Sequence, residues 1–189
     1  AGEPFVVDTI VGVAGATPVR HHARAFFQGN RFLLQPLVDA VVAQVRAETV
    51  ADLYAGVGLF SLALAHPDRT IDAVEGDGVA AADLTVNAAR LGAVRAVHRS
   101  VEHFVRESDL MRYGAVVVDP PRAGLAAEVV SALTAARVPS LVYVSCDPVT
   151  LARDVRHFAD AGYELGSVRA FDLFPRTAHV ETVVTLTQP

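Results

Sequence analysis

Short runs of apolar, β-branched residues recur along this chain, and between them lie longer stretches whose apolar residues repeat at helical spacing. Residues 50–54, 70–74, 94–98, 113–118 and 141–145 read as strands, and 59–65, 78–91, 102–107, 126–136 and 148–161 as helices. Ahead of them, 30–47 carries Phe32, Leu33, Leu37, Val41, Val42 and Val45 in a helical repeat. This alternation leaves few architectures. Strands that are apolar on both sides must be covered on both faces, and a helix between successive strands is the connection that parallel pairing needs. The expected fold class is therefore α/β, with a doubly wound, mostly parallel sheet. Two further strands, near 165–172 and 180–186, have no helix between them and should form an antiparallel hairpin at one edge. An initial hairpin is expected over 5–13 and 17–20, turning near Gly15. Residues 1–24 read as the remnant of a preceding domain, and 25–189 as the main one.

Composition narrows the function classes. With 189 residues, 52% of them hydrophobic and 20% charged, the chain can bury a substantial core and is not a disordered segment. No apolar run approaches the ~18 residues of a membrane span, and Ala1-Gly2-Glu3-Pro4 is not the start of a signal peptide. Cys146 is the one cysteine, so no internal disulfide can form and a reducing, cytoplasmic setting is expected. The chain opens without methionine and almost at once with strand-like sequence, as a domain cut from a longer protein would. Its net charge of −5 is not the basic footprint of a nucleic-acid binder, although all 16 basic residues are arginines, which suit phosphate.

In open α/β sheets, ligands bind beyond the carboxyl ends of the strands, and the chemistry-bearing motifs all fall there. Asp52-Leu53-Tyr54-Ala55-Gly56-Val57-Gly58 follows the first core strand, where two glycines let the backbone approach a ligand. Glu75 ends the next strand and could accept from both hydroxyls of a ribose. Dinucleotide and S-adenosylmethionine sites share this layout. Asp52 would repel a pyrophosphate, and Ser61 stands at the third position of the dinucleotide fingerprint after the bulky Leu59 and Phe60. S-adenosyl-L-methionine is therefore favoured, with Asp52 suited to its cationic amino-acid end. Asp119-Pro120-Pro121-Arg122 follows a later strand as a stiffened loop able to floor a flat base. Ser145-Cys146-Asp147-Pro148 sits where a strand hands over to a helix, with Asp147-Pro148 as a helix-start signature. The helix dipole there is expected to lower the pKa of the Cys146 thiol.

Taken together, these motifs resemble the catalytic domain of RNA 5-methyluridine methyltransferases over about residues 25–186. The matching segments are Phe26-Phe27-Gln28-Gly29-Asn30, the glycine turn, Asp119-Pro120-Pro121-Arg122-Ala123-Gly124, Ser145-Cys146-Asp147-Pro148 and Phe174-Pro175-Arg176-Thr177-Ala178-His179-Val180-Glu181. The resemblance implies a seven-stranded, Rossmann-like class I methyltransferase fold that uses S-adenosyl-L-methionine on uridine in tRNA or rRNA. Cys146 would be the nucleophile and Glu181 the base. Gln28, Tyr54, Gly56, Gly58, Glu75 and Asp119 would bind the cofactor, and no metal is implied. His179, two residues before Glu181, is expected on the same strand and side as a supporting partner.

The chain departs from the family pattern in three places. Asp147 follows the nucleophile where asparagine is usual, Leu59 replaces a polar residue, and His98-Arg99-Ser100-Val101 lacks the usual aspartate, leaving Ser100 as its stand-in. The family's N-terminal RNA-binding barrel and cluster-holding cysteines are not in this sequence, so a domain absent from it is expected to help hold RNA. Competing readings are a methyltransferase for a small molecule or cytosine, a nicotinamide oxidoreductase, and a non-catalytic RNA-binding or scaffold module.

Overall fold

A computed structural model describes residues 4–189. The chain begins with a hairpin, β1 (Phe5–Gly12) and β2 (Gly15–His22), followed by α1 (Arg31–Val42). Strands and helices then alternate: β3 (Thr49–Leu53), α2 (Leu59–Leu64), β4 (Thr70–Glu75), α3 (Gly78–Ala88), β5 (Val94–His98), α4 (Val101–Glu107) and β6 (Ala115–Val118). After these come α5 (Ala127–Ala135), β7 (Ser140–Ser145), α6 (Pro148–Asp160), β8 (Glu164–Phe171) and β9 (Glu181–Thr187).

Seven strands form one sheet in the order β5-β4-β3-β6-β7-β9-β8. The five from β3 to β7 pair in parallel, whereas β9 runs antiparallel between β7 and β8. The expected C-terminal hairpin is therefore present, with its first strand outermost. Strand order reverses between β3 and β6, which opens a crevice at their carboxyl ends. Side chains alternate across the sheet. On β3 and β7, Val50, Val142 and Val144 join the core on the α1–α3 side, while Ala51, Leu53, Leu141 and Tyr143 join the one on the α4–α6 side. The first hairpin packs on the α1–α3 layer, where Ile10 and Val19 are fully buried in the same core. No helix among the described residues is long and apolar enough to cross a membrane.

Several element limits differ from expectation, the end of α3 at Ala88 rather than 91 among them, and two have a visible cause. The helix expected to reach residue 47 ends at Val42, where Gln44 N–H turns back to the Val41 carbonyl and the chain descends toward β3. Tyr113, expected in a strand, instead closes a 3₁₀ turn over Leu110–Arg112. A polar demand explains this second difference. Asp72 is buried in β4, and the parallel register places Arg95 of β5 beside it. Arg95 Nε donates to its Oδ1 at 2.6 Å, Tyr113 donates to its Oδ2 at 2.5 Å, and Arg112 caps the same oxygen. Burial pushes the Asp72 pKa upward, but the Arg95 and Tyr113 hydrogen bonds and the two arginine charges outweigh it and leave the group below its ordinary value.

Because its folded pKa is depressed, Asp72 contributes stability above the ordinary carboxylate range that is lost as pH falls below it. Asp72→Asn is expected to lower unfolding stability at pH 7 by roughly 1–3 kcal/mol, the range for disrupting a charged hydrogen-bond set. Urea denaturation should show that difference shrinking below pH 4.

Candidate active site

The crevice at the switch point holds a cavity of about 630 Å³, in the size range of small-molecule sites. Its walls come from the segments after β3, β4, β6 and β7, from the start of β9, and from the Phe26–Gln28 stretch before α1. Of the residues expected in the site, Gln28, Tyr54, Gly56, Glu75, Asp119, Cys146 and Glu181 all line this one cavity.

The turn from β3 into α2 is built on left-handed backbone: φ is 62° at Tyr54, 56° at Gly56 and 97° at Gly58. Such values favour glycine and are uncommon for a tyrosine. The Tyr54 hydroxyl donates to Glu102 Oε1 at 3.3 Å, which anchors that side chain at the cavity wall. The two glycines do different work. A Cβ on Gly56 would enter open space, whereas one on Gly58 would meet Leu84 Cδ1 at 2.8 Å, so Gly58 brings α2 close to α3 rather than facing the cavity. Gly56 N–H donates to Glu75 Oε2 at 2.7 Å and Asp77 N–H donates to Oε1 at 2.6 Å. Two backbone donors thus orient the Glu75 carboxylate and leave lone pairs toward the cavity.

Two side chains sit differently from expectation. Asp52 is fully buried beneath the turn, where it accepts from the Ser61 hydroxyl, and it does not line the cavity. Burial raises its pKa to about 7. Ser100 caps α4, accepting from His103 N–H at 3.2 Å, and is likewise outside the cavity wall. Gln28 is buried, and its Oε1 has no hydrogen-bond partner among the described residues. An orphaned acceptor at a cavity wall is costly unless a ligand donor completes it.

Cys146 and Glu181 are brought together by the sheet. The antiparallel register pairs Ser145 of β7 with Thr182 of β9, so one step further on, Cys146 and Glu181 occupy adjoining strand ends. Glu181 is buried, and that burial raises its pKa from 4.5 to about 7. Cys146 is half-buried and unpaired. Its thiol pKa is pushed up, not down: burial dominates, the Glu181 and Asp119 charges add to it, and the Arg122 guanidinium opposes them. The expected dipole effect is outweighed because Cys146 precedes the Asp147 cap of α6 rather than lying in the helix. Asp119 is itself raised well above its usual range by burial, with Glu181, Asp52 and Glu75 adding to the effect.

His179 is not on β9, which begins at Glu181. It stands in the preceding loop with its ring edge-on to Phe174, and its charge acts on Asp147. Motif position alone does not reveal Phe27, Phe60, Pro120, Arg122 and Phe174 as wall residues, although each lies within or next to a matching segment.

The family model described as tRNA (uracil-5-)-methyltransferase matches residues 5–189. An uncharacterized RNA methyltransferase of Thermotoga maritima is 36% identical over 173 residues, covering 86% of this chain and 38% of that protein. Another, from Streptomyces coelicolor, is 36% identical over 193 residues, covering 98% and 41%. Among solved structures, the Pyrococcus abyssi tRNA (uracil-54, C5)-methyltransferase in complex with S-adenosyl-L-homocysteine superposes with a TM-score of 0.83 at 31% identity, over 99% of this chain and 45% of that one. The M. jannaschii tRNA m1G37 methyltransferase, at 15% identity and a TM-score of 0.71, shares the fold. The chain spans about two-fifths of the length of these curated relatives.

A carboxyl group whose folded pKa is raised stabilises the fold fully below its unfolded value, and that contribution is lost as pH rises through the folded one. For Glu181 the window runs from about 4.5 to about 7. Glu181→Gln should therefore leave the melting temperature little changed at pH 4.5 and raise it at pH 8. A shift from 4.5 to about 7 corresponds to roughly 3 kcal/mol, or about 5–10 °C for a chain of this size. Scanning fluorimetry at the two pH values checks this.

Proposed function

The chain belongs to the tRNA (uracil-5-)-methyltransferase family, and from that premise we propose that it methylates carbon 5 of a uridine in tRNA or rRNA through a covalent Cys146 adduct. The observation that carries this reading is the meeting of one thiol and one buried carboxylate at the mouths of adjoining strands, over a single cavity.

The residues present fit S-adenosyl-L-methionine. Its sulfonium and ammonium groups are cationic, and Glu75, Asp119 and Glu181 line the cavity with Asp52 behind them. The unpartnered Gln28 Oε1 is a ready acceptor for an ammonium, the fixed Glu75 carboxylate for ribose hydroxyls, and the open space at Gly56 admits the ligand against the backbone. When bound, the cofactor supplies an electrophilic methyl group.

Carbon 5 of uracil is a poor nucleophile, and this chain's residues address that. The Cys146 thiolate adds to carbon 6 to form a C–S bond. The C5–C6 electron pair then conjugates with the C4 carbonyl as an enolate, leaving carbon 5 electron-rich. Once carbon 5 carries the methyl group, the Glu181 carboxylate removes the remaining C5 proton. The C5=C6 bond re-forms, the C–S bond breaks, and Cys146 leaves as thiolate. A carboxylate with a pKa near 7 is matched to that proton transfer at neutral pH. At the mouth, exposed Arg24, Phe26 and Arg122 with half-buried Phe174 offer cations and aromatic faces, as a flipped base and its phosphates require. A net charge of −5 leaves this rim as a local anchor, and we assign the broader RNA surface to parts of the protein outside these residues. A single unpaired cysteine fits action in the reducing cytoplasm.

Cys146→Ala should abolish 5-methyluridine formation, read by nucleoside mass spectrometry, and should form no adduct with 5-fluorouridine RNA where the wild type does. Glu181→Gln should form the adduct but release product at least about a hundredfold more slowly, the lower end of general-base contributions. Full turnover in the alanine variant would sink the mechanism.

A further inference from the structure

The helix that begins just after Cys146 also grips the loop that carries Arg122. The Thr150 hydroxyl, in the first turn of α6, lies 3.1 Å from the Arg122 carbonyl oxygen and donates to it, with the Asp147 carbonyl a second acceptor at 3.3 Å. One turn on, Arg153 NH2 donates to the Ala123 carbonyl at 3.0 Å. Asp154 is fully buried, and its Oδ2 accepts from Leu125 N–H at 2.8 Å and from the Tyr143 hydroxyl of β7 at 2.7 Å. Its Oδ1 accepts from Arg153 Nε at 2.8 Å, which orients that guanidinium toward the loop. Three of the four loop positions from Arg122 to Leu125 are thus tied to α6, and the fourth, Gly124, stands in left-handed backbone at φ 77°. A Cβ there would stand 2.5 Å from Asp154 Oδ2 and 2.6 Å from Arg153 NH2, so only glycine lets the loop lie this close.

Such a set of contacts engages three polar residues of one helix, and one of them, Asp154, is a buried carboxyl group. A loop needing only to turn would be closed by Gly124 N–H to the Pro121 carbonyl at 2.8 Å, which is also present. The additional ties instead fix the loop relative to the helix whose start follows Cys146. They converge on Arg122, which lines the same cavity as Cys146, Asp119 and Glu181 and whose guanidinium opposes the effect of those two carboxylates on the thiol.

We propose that Thr150, Arg153 and Asp154 are positioning residues: a clamp from α6 to the 122–125 loop that holds Arg122 beside Cys146. The inference rests on the Proposed function for the role of Cys146, but its geometry and test do not involve RNA or methyl transfer. With the clamp released, Arg122 is free to leave, and the thiol loses the charge that favours its ionised form.

The test is the pH profile of iodoacetamide alkylation of the intact protein without cofactor, followed by mass spectrometry on the peptide containing Cys146. Arg122→Met should raise the alkylation midpoint. Thr150→Val, which keeps the shape and removes the hydroxyl, and Asp154→Asn should raise it too. A rise of half a pH unit would appear as alkylation about threefold slower at fixed pH below the midpoint. Thr150→Ser, which restores the donor, should return the wild-type profile. Circular dichroism identifies variants that fail to fold, and Thr150→Val decides if Asp154→Asn is among them. Either folded clamp variant at the wild-type midpoint overturns the clamp, as does a Thr150→Ser profile shifted like that of valine. Arg122→Met at the wild-type midpoint also overturns it, since nothing would then need positioning. None of these outcomes bears on whether uridine is the substrate, which turnover in Cys146→Ala decides separately.

Discussion

The antiparallel pairing of β9 with β7 is the constraint on which the site depends. In a wholly parallel sheet every strand would begin at the edge opposite the cavity and could deliver only its last residue to it. Because β9 runs the other way, its first residue, Glu181, arrives at the edge where β7 ends and Cys146 begins the exit loop. That reversal requires β8 to carry the chain back first, which is why β8 lies outermost and is largely exposed while β9 is buried. Two residues 35 positions apart meet through strand register alone. A one-residue slip would turn Glu181 to the other face of the sheet.

The cavity built there is electrostatically unfavourable for the free protein. Glu181 is buried and Asp119 half-buried at its wall, Glu75 adds a third carboxylate, and Asp52 lies behind with one oxygen unpartnered among the described residues. Burial raises the pKa of Asp52, Asp119 and Glu181, and neighbouring carboxylates add to the effect at Asp52 and Asp119. A fold optimised for stability alone would not gather these groups, and Asp72, equally buried in the same sheet, shows the alternative. There, two arginines and a tyrosine satisfy the carboxylate completely. The contrast separates a structural acid from acids awaiting a cationic ligand.

Much of the architecture could be read from residue pattern, because buried parallel strands are short, continuous and β-branched, and the helices between them are periodic. The limits that moved, at Val42 and Tyr113, were decided by tertiary demands that no local pattern contains: the descent into β3, and the pairing of Tyr113 with Asp72 across 41 positions. At the site, Gln28, Tyr54, Gly56, Glu75, Asp119, Cys146 and Glu181 line the cavity, whereas Gly58, Asp52, Ser100 and His179 do not. Asp52 looked like a cofactor ligand from its place before the glycine turn, yet its strand position points it beneath that turn to Ser61. Ser100 proved to be a helix cap, and His179 proved to lie on a loop facing Asp147. The Cys146 shift runs against the dipole for a related reason: helix dipoles are visible in sequence, whereas the burial of the thiol and the facing carboxylates are visible only in the fold.

Asp147 shows why proximity in sequence is a poor guide to electrostatics here. A carboxylate next to a thiol ought to suppress its ionisation, and asparagine would avoid that. Yet Asp147 Oδ1 accepts from both Val149 and Thr150 N–H at 2.9 Å, and its pKa is lowered first by the Thr150 backbone bond. Its charge is directed into the positive end of α6, where an anion is stabilising, with His179 adding to the effect. The groups that govern the Cys146 thiol are instead Glu181 and Asp119 across the cavity and Arg122 from the clamped loop. Aspartate and asparagine are near-equivalent caps, so the exchange changes how α6 starts very little. Beyond its burial, the Cys146 thiol is therefore tuned by three residues that reach it through space, and holding one of them in place is what the clamp contributes.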